Sequence, residues 1–120
     1  MELTKVLVVD DDSATRSGLF DLLTWAGYAC TAVESFHEAD HIARTDPPDL
    51  LITDIRLSGY NGLQLVFRFP DLPAIVITGY ADPVLERDAG QAGATYIRKP
   101  LNVNELLDVV REKLRHVRRS

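Results

Sequence analysis

The chain reads as an α/β protein, a doubly wound five-stranded parallel sheet with helices on both faces. Three observations predict this. Short apolar runs of strand type recur five times, at residues 6–9, 28–33, 50–53, 74–77 and 95–98. The stretches between most of them carry apolar residues at helical spacing, opened by capping residues and closed by glycine or proline. Finally, the polar residues suited to chemistry stand just after strands, the edge at which open parallel sheets bind ligands.

Taken in order, Val6, Leu7, Val8 and Val9 form an unbroken apolar run, the mark of a strand buried on both faces. Asp10, Asp11 and Asp12 follow it. Ser13 is placed to cap the first helix, where Leu19, Leu22, Leu23 and Ala26 recur at helical spacing and Gly27 is placed to end it. Asp12 is read as a cap or a solvated side chain ahead of a metal ligand. Residues 28–33 give the second strand. Ser35 with Glu38 has capping-box spacing, Phe36, Ala39 and Ala43 share one face, and Pro47 and Pro48 stop that helix. Residues 50–53 then deliver Asp54 from a short buried strand. Leu63, Leu65, Phe67 and Phe69 alternate with Gln64, Val66 and Arg68, which is a strand period. A tight turn cannot join parallel neighbours, however, so a short crossover helix is predicted there. Residues 74–77 deliver Thr78 and residues 95–98 deliver Lys99. Asp82 before Pro83 starts the fourth helix. Asn102 and Glu105 cap the last one, with Val103, Leu107, Val110, Leu114 and Val117 in a stripe. Trp25 and Cys30 are read as core or near-core residues. His37, His41 and His116 are read as surface histidines, because the first two lack the acidic companion of a zinc motif.

Composition bounds the function. The 120 residues are 46% hydrophobic and 26% charged, and they make one domain over residues 1–120. Thirteen Lys and Arg against eighteen Asp and Glu give a formal charge of −5, which argues against a nucleic-acid grip by this domain. Arg111, Lys113, Arg115, Arg118 and Arg119 gather at the end against Glu112 alone, a basic end that suits a helix C-terminus or the start of a linker. One cysteine excludes an internal disulfide framework and a Cys-rich zinc site. No run is long enough to span a membrane and no signal-peptide core opens the chain, so a soluble cytoplasmic domain is expected.

Asp10, Asp11 and Asp54 crowd one sheet edge, and clustered carboxylates repel unless a cation lies between them. Hard oxygen ligands select Mg²⁺, or Mn²⁺. Thr78 offers a hydroxyl and Lys99 a point positive charge, both suited to a phosphoryl group. The residues thus predict a metal-dependent phosphoryl site.

Val-Val-Asp-Asp at the first strand, Asp-Leu-Leu-Ile-Thr-Asp ending at Asp54, Ile-Thr-Gly at Thr78 and Tyr-Ile-Arg-Lys-Pro at Lys99 together resemble the receiver domain of two-component response regulators. The resemblance covers essentially the whole chain and implies a flavodoxin-like strand order 2-1-3-4-5. It implies that Asp54 is the phosphoacceptor, taking a phosphoryl group from the phosphohistidine of a histidine kinase or phosphotransfer protein. Asp10, Asp11, Asp54 and the backbone carbonyl of Arg56 would hold Mg²⁺. Lys99 and Thr78 would bind phosphoryl oxygens, and Tyr96 would turn inward when Thr78 moves. Arg56 and Tyr80 would border the path of water to the phosphoryl group and slow its hydrolysis. The face of the fourth helix, fifth strand and fifth helix would switch partners, with a homodimer through it among them. The domain would be a signalling module that takes part in its own phosphorylation and dephosphorylation, not an enzyme on other substrates. Nucleic-acid contact would fall to an output domain.

Three departures stand out. Ser58 replaces a proline common four residues after the acceptor, although Gly62 is kept. The third helix is shortened and cut by Pro70, and Leu101 stands where an aromatic is frequent. A haloacid-dehalogenase-like phosphatase also opens on an Asp-x-Asp pattern, but it needs a later acidic pair on a strand end, and only Asp108 inside the last helix is available. A degenerate receiver acting only as a protein-binding module fits poorly with an intact ligand set.

Overall fold

The computed structural model describes residues 3–115. Five strands, β1 (Lys5–Val9), β2 (Ala29–Val33), β3 (Leu50–Asp54), β6 (Ala74–Thr78) and β7 (Thr95–Arg98), form one parallel sheet in the order β2-β1-β3-β6-β7. The order is that of the doubly wound, flavodoxin-like fold predicted. Crossovers run through α1 (Ser13–Trp25), α2 (Phe36–Thr45), α3 (Leu63–Arg68) and α4 (Pro83–Gln91), and α5 (Val103–Arg115) closes the chain.

The strand period of two divides the core. Val6, Val8, Leu50, Ile52, Ile75 and Ile77 point to α1 and α5, where Leu19, Leu23, Leu106 and Val110 meet them. Leu7, Val9, Leu51 and Val76 point the other way, onto Phe36, Ala39, Leu65 and Ala89 of α2, α3 and α4. Each such aliphatic side chain contributes about 1.5–3 kcal/mol by burial.

Helix ends follow local chemistry. The α1 cap is Asp12 and not Ser13: the Asp12 carboxylate accepts from the Thr15 amide at 2.9 Å and from its hydroxyl at 2.6 Å. A carboxylate there also meets the positive end of the helix dipole, so it outcompetes the serine one position on. Gly27, at φ 101°, ends the helix, with Tyr28 N–H donating to Leu23 O and Gly27 N–H to Thr24 O. Ser35 caps α2, Asp82 caps α4 ahead of Pro83, and Asn102 accepts from Glu105 N–H at α5, all as predicted.

The segment with the strand period is helical. Val66 is buried while Phe67 is exposed, which breaks the alternation. Phe69, before Pro70, leaves the helical region, at φ −127° and ψ 68°, and ends α3. Two placements need correction. Trp25 is 79% exposed and no core residue. Leu19 and Leu23 hold the inner face of α1, and Trp25, two residues beyond Leu23, falls on the far side. Val103 is exposed in the first turn of α5, and Leu106 takes the buried place beside Leu107, Val110 and Leu114. Cys30 is half-buried against the α1/α5 face of the core, where burial pushes its thiol up to about 11. His37 and His41 are exposed, as predicted, whereas His116 and Val117 lie outside the described residues. No helix among the described residues is long and apolar enough to cross a membrane.

One element went unforeseen. After Asp54 the chain forms a hairpin of β4 (Arg56–Leu57) and β5 (Tyr60–Asn61), pairing Arg56 with Asn61 and Leu57 with Tyr60.

Candidate functional site

Parallel topology brings the ends of β1, β3, β6 and β7 to one edge, and with them the predicted residues. Asp10 follows β1, Asp54 ends β3, Thr78 ends β6 and Lys99 follows β7. Asp10, Asp54 and Thr78 are buried, and Asp11 is exposed at the rim. One carboxylate oxygen from each of Asp10, Asp11 and Asp54 lies within 4.8 Å of the others. Lys99 Nζ donates to Asp54 Oδ2 at 3.0 Å and lies 3.5 Å from Asp10 Oδ2.

Backbone groups orient the acids. Asp12 N–H donates to Asp10 Oδ1 at 2.9 Å, and Arg56 N–H donates to Asp54 Oδ1 at 3.2 Å. Burial lifts the Asp10 carboxyl above its ordinary value, overcoming the Asp12 amide, and the Asp54 charge adds to the rise. Burial works against the Lys99 cation, yet the bond to Asp54 and the charges of both acids hold its pKa above the ordinary lysine value. Three carboxylates against one lysine leave excess negative charge in a half-buried pocket. That donor set fits a hard divalent cation with oxygen ligands. Asp12 lies apart from this work. Its side chain caps α1, and the Thr15 hydroxyl and amide hold its carboxyl below the ordinary range.

The other predicted residues join through Tyr80. Thr78 Oγ1 accepts from Tyr80 N–H at 3.1 Å, and the Tyr96 hydroxyl donates to Tyr80 O at 2.9 Å. The Arg56 guanidinium lies 3.9 Å from the centre of the Tyr80 ring, a cation–π contact that crosses from the loop after β3 to the loop after β6. Tyr80 and Arg56 are both exposed. All eight predicted site residues therefore meet at this edge.

Two supporting residues, Arg16 and Thr53, were not singled out from sequence, and a third, Ser58, was noted there only as a departure. Arg16 donates to Asp10 O at 2.9 Å and ties α1 to the acidic turn. Thr53 Oγ1 donates to Asp54 O at 2.9 Å. Ser58 Oγ donates to Asp11 Oδ2 at 3.4 Å, a weak contact. A side-chain donor near a backbone carbonyl leaves no periodic trace, so the contacts of Arg16 and Thr53 were not legible. Gly62 does carry a reason: a Cβ there would stand 1.9 Å from Asp54 O, inside the loop that Gly62 N–H closes onto Ile55 O at 2.6 Å.

Comparison with known proteins bears on the family and the fold. The family model of the response regulator receiver domain matches residues 6–111. The DNA-binding transcriptional regulator NtrC of Klebsiella pneumoniae is 39% identical over 114 residues, covering 91% of this chain and 24% of that protein. The chain thus spans about a quarter of the length of such curated relatives. A receiver domain protein (CheY-like) from Methanospirillum hungatei superposes with a TM-score of 0.90 at 30% identity, covering 97% of both chains. A Burkholderia pseudomallei response regulator, solved with a phosphorylated aspartic acid and a calcium ion, gives 0.83 at 28% identity, over 95% of this chain and 70% of that one.

Proposed function

The chain belongs to the response regulator receiver domain family, and on that premise we propose that Asp54 accepts a phosphoryl group from the phosphohistidine of a histidine kinase or phosphotransfer protein. The observation that carries this reading is Lys99, which bridges Asp54 and Asp10 from the end of β7, 3.0 Å from the acceptor. An Asp54 oxygen attacks phosphorus, the phosphorus–nitrogen bond breaks, and the imidazole leaves. The Arg56 amide fixes the orientation of the carboxylate before attack. Lys99 then pairs with one phosphoryl oxygen and the Thr78 hydroxyl bonds another. Asp10, Asp11, Asp54 and the Arg56 carbonyl would hold Mg²⁺, with Mn²⁺ a substitute. When bound, the metal supplies neutralising charge to the phosphoryl oxygens.

The signal then passes through Tyr80. A Thr78 hydroxyl drawn to the phosphoryl group releases the Tyr80 amide it now accepts from, and Tyr96 is tied to the same residue. The surface of α4, β7 and α5 responds and selects partners, a second copy among them. Arg56 and Tyr80, joined across the pocket mouth, hinder water and slow hydrolysis. An output domain, as in the NtrC relatives described as DNA-binding regulators, would carry the nucleic-acid contact.

Acetyl phosphate or beryllofluoride with Mg²⁺ should modify or occupy Asp54 stoichiometrically, with no turnover of other phosphate esters. Peptide mapping should place the phosphoryl group on Asp54, and Asp54→Asn should abolish labelling. Label on Asp10 would overturn the assignment.

A further inference from the structure

We propose that Tyr60 is a positioning residue for the metal site, holding the β4–β5 hairpin, and with it the main chain of Arg56, over the acidic cluster. The inference rests on the phosphoacceptor reading and adds a residue outside the predicted set. A hairpin of two paired positions needs help to persist. Its turn is Ser58-Gly59, and only Gly59 takes a positive φ, at 75°. The turns whose twist suits a two-residue hairpin require positive φ at the first central residue, here Ser58, which does not have it. Such a turn splays its strands, and an isolated two-stranded ribbon is marginal even with a favourable one.

The base of the hairpin is secured locally. Gly62 N–H donates to Ile55 O, and Asn61 is tied to α3 through Leu63 N–H at 2.8 Å and Gln64 Oε1 at 3.0 Å. The outer end has a different anchor. The Tyr60 ring stacks on Phe36 of α2, with centroids 4.7 Å apart and planes 11° from parallel. Its hydroxyl lies 2.9 Å from His37 Nε2, and the His37 ring meets it edge-on. Phe36 is itself buried in the core. Tyr60 therefore fastens the hairpin to the buried N-terminal residue of α2. The same hairpin presents the Arg56 amide to Asp54, the Ser58 hydroxyl to Asp11 and the Arg56 guanidinium to Tyr80.

The test compares the whole chain with Tyr60→Ser, which removes the clasp, and Tyr60→Phe, which keeps the stack and loses the bond to His37. Calorimetric titration with MgCl₂ alone should show the dissociation constant rising roughly tenfold in Tyr60→Ser, the usual effect of losing a group that orients a metal ligand. Tyr60→Phe should stay within about threefold of the wild type, and acetyl phosphate labelling of Tyr60→Ser should recover to near the wild-type rate at saturating Mg²⁺. In the metal-free proteins, amide exchange at residues 56–61 should speed up in Tyr60→Ser while the central strands stay protected, which separates a loosened hairpin from a failed fold. Unchanged Mg²⁺ affinity and unchanged exchange in Tyr60→Ser would overturn the proposal, as would exchange that rises equally throughout the sheet. If wild type fails to label at Asp54 the phosphoacceptor reading falls, while the Mg²⁺ and exchange comparisons still judge Tyr60.

Discussion

Arg56 and Tyr80 stand two residues beyond Asp54 and Thr78, the groups proposed to handle phosphate, and both have exposed side chains. A guanidinium 3.9 Å above an aromatic ring is held by the ring quadrupole, worth roughly 0.5–1 kcal/mol at an exposed site. That energy is small beside the fold, yet it bears directly on whether the mouth above Asp54 stays covered. Hydrolysis of an acyl phosphate needs a water in line with the departing carboxylate, so cover matters more than contact energy. Replacing Arg56 and Tyr80 together with alanine should shorten the lifetime of phospho-Asp54 several-fold. Phosphorylation by acetyl phosphate should still occur, because Lys99 and the acidic cluster are untouched. Following loss of label after removing the phosphodonor checks it, and an unchanged half-life would reduce the pair to rim decoration. Neither exposure nor the cation–π contact could be read from the sequence, where Arg56 and Tyr80 lie 24 positions apart, but their offsets from Asp54 and Thr78 were plain.

Between α2 and α3 a second set of charges does structural work. Asp40 is buried on α2, and its carboxylate accepts from Arg44 Nε at 3.1 Å and from Arg68 Nε of α3 at 2.8 Å. Burial works to raise the Asp40 pKa, but the hydrogen bonds from Arg68 and Arg44 outweigh it and hold the carboxyl below its ordinary value. A six-residue helix has too few internal hydrogen bonds to stand alone, so this clamp matters to α3. Because the folded-state pKa is depressed, the contribution is full above the ordinary carboxylate value near 3.8 and is lost as pH falls through the lowered one. Asp40→Asn should therefore cost about 1 kcal/mol at neutral pH, a figure discounted for the half-exposed arginines. The gap from wild type in urea unfolding should narrow below pH 4. Elements of this size mark the limit of legibility. The crossover requirement identified α3 although its pattern was strand-like, because topology outranks a seven-residue alternation. The β4–β5 hairpin escaped notice since two-residue strands have no period. Its fastening to Phe36 joins residues 24 apart in sequence, and no local signal records that. Val103 was misplaced because a stripe shows which face is apolar, not which of its residues the sheet covers, and Trp25, off the α1 stripe, was read by residue type alone.

At the scale of the molecule, the parallel sheet does two opposed things. Its inner strands bury Val6, Val8, Ile52, Ile75 and their neighbours almost completely. The same crossovers send the ends of those strands to one edge, where Asp10 and Asp54 are buried close together. This collection was legible because each polar residue directly follows an apolar run, so the sequence positions and the sheet edge are the same fact. Its energetic consequence follows from the Asp10 carboxyl, whose pKa is raised by burial and by the Asp54 charge. A group with a raised folded-state pKa binds its proton more tightly when folded, so above that pKa its ionised form opposes folding. Without metal, Asp10→Asn should thus be more stable than wild type at neutral pH by about 1 kcal/mol, the amide oxygen still accepting from Asp12 N–H. A divalent cation held by the acidic cluster should reverse the order. A ligand that binds only the folded state adds about 2.7 kcal/mol at one hundred times its dissociation constant, equivalent to a rise of several degrees in midpoint for a chain this size. Thermal melts over a MgCl₂ series should show the wild-type midpoint climbing while that of Asp10→Asn, starting higher, stays nearly flat, so that the two lines cross. Parallel lines would remove Asp10 from the metal site, and a wild type indifferent to Mg²⁺ would leave the acidic edge without the cation that its charge demands.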